Sequence, residues 1–182
     1  MSKVSILAMT LLLKQIFNLL KLLNSDTGEK SLALGFVIGM FLGFSPLLSL
    51  QSLVMIIILF IFKIQIGAAL CASFFFALIA YLFDPAFDAL GGIVLEMGAL
   101  RGLYETLYQA PIIPFTKFYN SIVMGALVLS VLLAPIVYFL SLTLINKYRV
   151  TVVQRYQQSK FFKALKATSF YKWYAKYNEL YG

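Results

Sequence analysis

The stretch of sequence that decides the fold is GFVIGMFLGFSP, residues 35–46. Its three glycines, Gly35, Gly39 and Gly43, recur every four residues, so they share one face of a predicted helix and leave that face without side chains. The helix stops at Pro46 after about 14 residues, or some 21 Å at ~1.5 Å per residue. Because the hydrocarbon core of a bilayer is about 30 Å thick, this helix is too short to cross one. The sequence therefore predicts a short helix whose smooth face must be covered by another helix or by a lipid.

The composition of the whole chain indicates a membrane protein. Of the 182 residues, 62% are hydrophobic and 12% are charged, whereas soluble domains are about 45–50% apolar and about 25% charged. A soluble domain of this length would leave much of that apolar surface in water. We therefore expect an all-α polytopic integral membrane protein with a re-entrant helical hairpin and amphipathic interfacial helices.

Residues that could carry out chemistry are few. The chain has no histidine and a single cysteine, Cys71, which removes the commonest general base, the commonest metal ligand and a disulfide framework. The sequence contains no Ser–His or Cys–His pairing, no phosphate-binding loop and no carboxylate pair backed by a third group. We expect no catalytic residues, no metal and no cofactor, and therefore no enzyme.

The segment after the glycines is predicted to return through the membrane. Residues 47–62 read LLSLQSLVMIIILFIF and form a second apolar arm that ends at Lys63. A straight helix over 31–62 would be about 48 Å long, which exceeds most bilayers. Broken at its proline, the same stretch fits a re-entrant hairpin over 31–62, with Lys30 and Lys63 on one side of the membrane.

Two full membrane spans are expected beyond the hairpin. Residues 66–83 form the first, which ends at Asp84-Pro85, and residues 121–145 form the clearest one. The segment 86–109 between them is either a second re-entrant unit or a helix lying at the outer interface. The predicted domains are an amphipathic interfacial helix (1–28), the membrane domain (29–146) and a basic amphipathic cytoplasmic tail (147–182).

The N-terminal segment 3–23 carries a polar stripe on an otherwise apolar helix. The members of the stripe repeat every three, four or seven residues and so lie on one face: Lys3, Thr10, Lys14, Asn18 and Lys21. A full span would place lysines in hydrocarbon at a few kcal/mol each, whereas a helix lying along the cytoplasmic surface avoids this cost. The interfacial position is the preferred interpretation, and a span is the alternative.

The distribution of charge predicts the topology. The net charge is +8, with basic residues concentrated in the tail and acidic residues in 84–105. The positive-inside rule then places both termini in the cytoplasm and the acidic segment outside. Five tail lysines are interleaved with aromatic residues and can contact anionic lipid: Lys160, Lys163, Lys166, Lys172 and Lys176. They can equally mark the cytoplasmic side alone, and we expect no nucleic-acid partner.

The main candidate site is the glycine face together with the polar tip of the hairpin. Either a lipid path or packing against a partner helix would use these residues: Gly35, Gly39, Gly43, Ser45, Pro46, Ser49, Gln51 and Ser52. Helix packing inside the chain, or in a homo-oligomer, is the plainer interpretation.

Three ionisable residues are further candidates, as polar groups within the membrane: Asp84, Glu96 and Arg101. For Asp84, together with Asp88, the plainer interpretation is a helix cap near Pro85. For Glu96 and Arg101 it is packing or mutual pairing, and Arg101 can also pair with Glu105 at i, i+4.

Residues 31–46, SLALGFVIGMFLGFSP, resemble the signature A-x-G-x-x-x-G-x-F-x-G-x-x-P of a family of small bacterial inner-membrane domains of unknown function. The resemblance covers residues 30–145, and the chain is most similar to stand-alone members encoded beside a large AsmA-like envelope protein. It implies a bacterial inner-membrane location, a large single-span periplasmic partner and no established activity.

The hairpin and this resemblance lead to two hypotheses of different classes. The first is an inner-membrane subunit of an envelope lipid-transport complex that passes phospholipid from the bilayer to the periplasmic partner. The alternative is a non-transporting membrane anchor or assembly subunit, whose glycine face receives the partner's span. An ion or proton channel that uses Asp84 and Glu96 is a third, more distant option.

Overall fold

The chain is all-helical over the residues that the computed structural model describes, 3–153, with side chains described for 11–151. The helices are α1 (Lys3–Leu23), α2 (Glu29–Phe44), α3 (Leu50–Ile61), α4 (Ile66–Leu95), α5 (Arg101–Gln109) and α6 (Ser121–Tyr148). Short 3₁₀ turns occupy Gly98–Leu100 and Ile113–Thr116, and a π-helical turn occupies Arg149–Val153. This confirms the predicted all-α class. The tail lysines predicted to contact lipid lie outside the described residues.

The chain divides into two compact units, 1–143 and 144–182. The first contains α1 to α5 and most of α6. Of the second, the described residues cover the end of α6 and the π-helical turn.

A break in the helix falls where the proline was expected to cause one. Helix α2 ends at Phe44, and Ser45 then adopts an extended backbone (φ −124°, ψ 151°). Helix α3 begins after Ser49, whose side chain accepts a hydrogen bond from the backbone N–H of Ser52 at 3.3 Å. Such a serine cap satisfies one of the N–H groups that the first turn of a helix leaves without a partner.

The direction of the helices follows from the glycine contacts. Along α2, each glycine faces the residue 33 positions later in α4, at 35–68, 39–72 and 43–76, so the two helices are parallel. Their first turns are joined where the backbone N–H of Gln65 donates to the hydroxyl of Ser31 at 3.2 Å. Helix α3 must therefore bring the chain back, and α2 and α3 form a helical hairpin with both ends at the start of α4.

Helix α4 does not end at Asp84-Pro85, and the prediction of a helix over 66–83 is wrong in its C-terminal boundary. The helix continues through the proline to Leu95. An internal proline forfeits one backbone hydrogen bond, but one face of the turns beyond it packs against α6, where Phe87 and Gly91 are buried. The predicted segment 86–109 consequently divides, because its first half belongs to α4 and its second half contains α5.

Helix α6 runs antiparallel to α4 at very close range. Gly91 of α4 lies against the backbone of Ser121, and Gly125 of α6 lies against the backbone of Phe87. The ring of Phe87 also packs on Phe44 of α2, with centroids 5.2 Å apart. The buried core of this region thus joins α2, α4 and α6.

Helix α1 packs antiparallel on the start of α4. The thiol of Cys71 donates to the backbone carbonyl of Gln15 at 3.5 Å, and Leu22 lies beside Gly67. Part of the predicted polar stripe faces α4, while several apolar side chains point outward, among them Leu13, Ile16 and Phe17.

Helices α4 and α6 are long and apolar enough to cross a membrane. Only 22% of the most apolar window of α4, and 28% of that of α6, is buried within the protein. The core helix of a soluble protein would be mostly buried. Their outward apolar surface is therefore of the kind that a hydrocarbon environment would cover.

Candidate functional site

The polar residues predicted at the hairpin tip form one buried cluster. Ser45, Ser49, Gln51 and Ser52 are all at most 8% exposed, and Pro46 contributes its carbonyl. The Ser49 hydroxyl donates to the Ser52 hydroxyl at 2.9 Å, and the Ser52 hydroxyl donates to the carbonyl of Pro46 at 3.0 Å. The cluster therefore serves the turn itself, since it satisfies backbone groups that the broken helix leaves unpaired.

Gln51 connects this tip to the rest of the bundle. Its side-chain amide donates to the hydroxyl of Ser45 and, at 3.1 Å, to the backbone carbonyl of Val123 in α6. Two contacts thus use both N–H groups of one amide. The tip is fixed to α6 by a buried hydrogen bond between groups that are distant in sequence.

The glycine face is filled by α4 of the same chain. A Cβ built on Gly35 would lie 2.7 Å from the Cβ of Ala68, and one built on Gly43 would lie 2.6 Å from the carbonyl oxygen of Ser73. Such distances mean that the two helices touch backbone to backbone. The glycines pack against α4, and in this arrangement they leave no space for a lipid or a partner helix on that face.

The three ionisable candidates do not come together. Asp84 lies within α4, Glu96 is exposed at its C-terminal end, and Arg101 begins α5. Arg101 forms the predicted ion pair with Glu105, with Nε and Oε1 3.2 Å apart and both side chains largely exposed. The interpretation of Asp84 as an N-terminal cap is wrong, because no helix begins at Pro85.

Asp88 also belongs to the interior of α4 rather than to a helix start. It accepts a hydrogen bond from the hydroxyl of Ser121, the first residue of α6. This bond lies close to the Gly91 contact and adds a polar link between the two helices.

An apolar cavity that the sequence did not reveal lies between α3, α5 and α6. Its volume is about 550 Å³, within the ~300–1,000 Å³ range of small-molecule pockets. Its wall is almost entirely hydrocarbon, with Gln51 and Tyr104 as the polar residues: Leu50, Gln51, Val54, Met55, Val94, Leu100, Leu103, Tyr104, Leu107, Phe118, Met124, Leu127, Val128, Val131 and Leu132. The sequence signal that could have found it is the spacing 100, 103, 104 and 107, which puts three leucines and a tyrosine on one helical face.

A second cavity, of about 440 Å³, adjoins the first and is lined mainly by aromatic rings. Tyr104 and Phe118 belong to the walls of both cavities, and the rest of the second wall is formed by Leu95, Glu105, Tyr108, Gln109 and Tyr119. The rings touch one another, with centroids 6.4 Å apart for Tyr104 and Phe118 and 6.1 Å apart for Tyr108 and Tyr119. An apolar cavity and an amphipathic aromatic one therefore share part of their wall.

These features define a class of protein: an all-helical chain with two helices able to cross a membrane and an apolar cavity beside one of them. The comparison with known families then identifies the family. Residues 15–153 match the family described as "Uncharacterized protein conserved in bacteria (DUF2062)", and the chain belongs to it.

One curated relative supports this family membership. An "Uncharacterized protein" of Treponema pallidum (strain Nichols) is 24% identical over 151 residues, which cover 83% of this chain and 93% of the relative. The similarity thus runs over nearly the whole relative. No solved structure matches the chain.

Proposed function

We propose that this protein is a multi-pass bacterial inner-membrane protein that binds phospholipid and passes it from the bilayer to a large periplasmic AsmA-like partner. The observation that carries the proposal is the apolar cavity between α3, α5 and α6. Its 550 Å³ of hydrocarbon-lined space suits an acyl chain better than any polar solute.

The membrane placement rests on length and exposure. Helices α2 and α3 have 16 and 12 residues, which is about 24 Å and 18 Å and less than the ~30 Å hydrocarbon core. Both ends of this hairpin lie at the start of α4, as a re-entrant unit requires. The polar side chains of its tip are buried and hydrogen-bonded inside the protein, and the residues exposed there, among them Leu47 and Leu48, are apolar. A turn at membrane depth is tolerated when its polar groups are satisfied in this way.

The two adjoining cavities suggest how one lipid would sit. The acyl chain would occupy the apolar chamber, and the headgroup region would lie at the aromatic chamber, where Tyr108 and Tyr119 offer both ring surface and hydroxyl groups. Tyrosine favours such boundaries because one end of the side chain is apolar and the other is polar.

The transfer of lipid to a periplasmic partner is proposed on the family resemblance. Because α4 fills the glycine face, a partner helix would contact the outward apolar surface of α4 or α6 instead. The alternative function is a membrane anchor without transport. It would use the same outward surface of α4 or α6 to bind the partner, but it gives the cavity no role. Occupancy of the cavity therefore separates the two functions.

The test is the amount of phospholipid that co-purifies with the protein in mild detergent, measured by mass spectrometry. Leu103→Trp and Val128→Trp would fill the apolar chamber, and Leu140→Trp, on an exposed surface of α6 outside the cavity wall, is the matched control. We expect each cavity variant to retain at most about one fifth of the lipid, which corresponds to ~1 kcal/mol of lost affinity. The control should retain all of it.

Equal lipid in cavity and control variants, with all three folded, would refute the lipid-binding role. A large envelope protein recovered equally with each variant would then favour the anchor function. Loss of that partner from the cavity variants alone would link lipid binding to the complex.

A further inference from the structure

A third cavity, of about 500 Å³, lies between α1 and the start of α4 and differs in chemistry from the other two. Lys14, Asn18 and Lys21 enter it from one face of α1, and Gln65 and Gly67 enter it from α4. The polar stripe of the N-terminal helix thus faces a concave space formed with the protein. The polar stripe can therefore have a second role, besides holding α1 at a membrane surface.

The charged residues that line this cavity are both cationic. Neither lysine has an ion-pair partner among the residues that the structure describes, and no wall residue is acidic. The side-chain amide of Gln65 likewise makes no hydrogen bond within the described part of the chain. Two ammonium groups and a free amide N–H₂ at one cavity present a positive, donor-rich surface.

The end of α4 adds to that surface. The first turn of this 30-residue helix has no side-chain cap, and its N-terminus carries about half a positive charge with N–H groups directed outward. Gly67 in the same turn has no side chain of its own, and Leu22 of α1 lies beside it. The cationic side chains and the N-terminus of α4 therefore both favour the binding of an anion.

We infer that this cavity binds a phosphate group, carried either by an anionic phospholipid or by free phosphate. A phosphate offers several acceptor oxygens to two lysines and an amide, and its negative charge complements the positive charge of the cavity. The site is separate from the apolar cavity, because Gly67 and Val94 lie 27 residues apart on α4, which is about 40 Å. The inference does not depend on the proposed lipid transport.

The experiment is isothermal titration of the full-length protein in mild detergent with three probes. Dioctanoyl phosphatidylglycerol has both acyl chains and a phosphate group. Inorganic phosphate lacks the acyl chains, and dioctanoylglycerol lacks the phosphate group. The test variant is Lys14→Gln with Lys21→Gln. The matched control is Lys117→Gln with Lys147→Gln, which removes the same charge from lysines that do not line the cavity.

We expect the test variant to bind phosphatidylglycerol at least about tenfold more weakly, a change of ~1.4 kcal/mol, and the control to change by less than about twofold. Binding of phosphatidylglycerol without binding of inorganic phosphate would identify a lipid headgroup as the ligand. Lysine-dependent binding of inorganic phosphate would identify free phosphate.

Equal weakening in both double variants would overturn the inference, since general charge would then explain the binding. So would binding of phosphatidylglycerol that the lysine substitutions leave unchanged, or no binding of either phosphate probe by a folded protein. Leu103→Trp, which would fill the apolar cavity, should leave the lysine-dependent part of this binding unchanged. The two proposals can therefore fail separately.

Discussion

Replacing Gly39 by alanine should destabilise the protein, although alanine is the better helix former. A Cβ at this position would lie 2.5 Å from the Cβ of Ala72, 2.6 Å from the carbonyl oxygen of Ala69 and 2.9 Å from the backbone nitrogen of Ser73. Non-bonded carbon atoms are most favourable at about 3.5–4.0 Å, so α2 and α4 must separate by roughly 1 Å. Two of the three obstructing atoms are backbone, which cannot rotate away.

The expected cost is that of overpacking, about 1–3 kcal/mol. The matched control is Gly92→Ala in α4, where a Cβ would meet nothing within 4 Å and where alanine should gain about 0.5–1 kcal/mol of helix stability. Thermal unfolding in mild detergent, followed by far-UV circular dichroism, compares the two variants. A shift of about 2–4 °C per kcal/mol is typical at this chain length, so the variants should move in opposite directions.

The result that would refute the reasoning is Gly39→Ala unfolding at or above the temperature of Gly92→Ala. The backbone contact between α2 and α4 would then not limit stability. The glycine face would again be available as a lipid path or as a surface for a partner helix.

Three smaller changes test other parts of the structure in the same assay. Gln51→Leu should cost about 1–3 kcal/mol, because it leaves the buried carbonyl of Val123 and the hydroxyl of Ser45 without their donor; an unchanged unfolding temperature would contradict that. Ser130→Ala should stabilise the protein by about 1 kcal/mol, since the buried Ser130 hydroxyl has no hydrogen-bond partner among the described residues, and a loss of stability would show that the hydroxyl is satisfied. Lys63→Gly should be stabilising by up to about 1 kcal/mol, because Lys63 has a left-handed backbone (φ 49°), and any clear destabilisation would assign the side chain a role of its own.

The features that could be predicted from sequence are those with a local physical cause. The four-residue glycine spacing predicts a side-chain-free helix face whatever covers it. The Ser45-Pro46 break follows from the backbone restriction that proline places on itself and its predecessor. The ion pair of Arg101 with Glu105 follows from helical spacing alone.

The features that could not be predicted depend on which helices meet. Asp84-Pro85 has the local character of a helix end, and only the packing of Phe87 and Gly91 against α6 explains why α4 continues. Gly125 is a single glycine in an apolar run, with no pattern to mark its contact with Phe87. The apolar cavity likewise needs three helices that are far apart in sequence.

The same contacts indicate which wall of the apolar cavity can yield to a lipid. The hairpin is held on two sides, by the glycine contacts with α4 and by the bond from Gln51 to α6. Helix α5, in contrast, has nine residues, none of them buried, and isolated helices shorter than about 12–15 residues are marginal in water. Tyr104 ties it to the carbonyl of Val94 by a hydrogen bond of 3.1 Å, but the rest of its apolar face borders the cavity and lacks a packing partner there among the described residues. A bound acyl chain would supply that missing contact, so ligand binding and the ordering of α5 should be coupled.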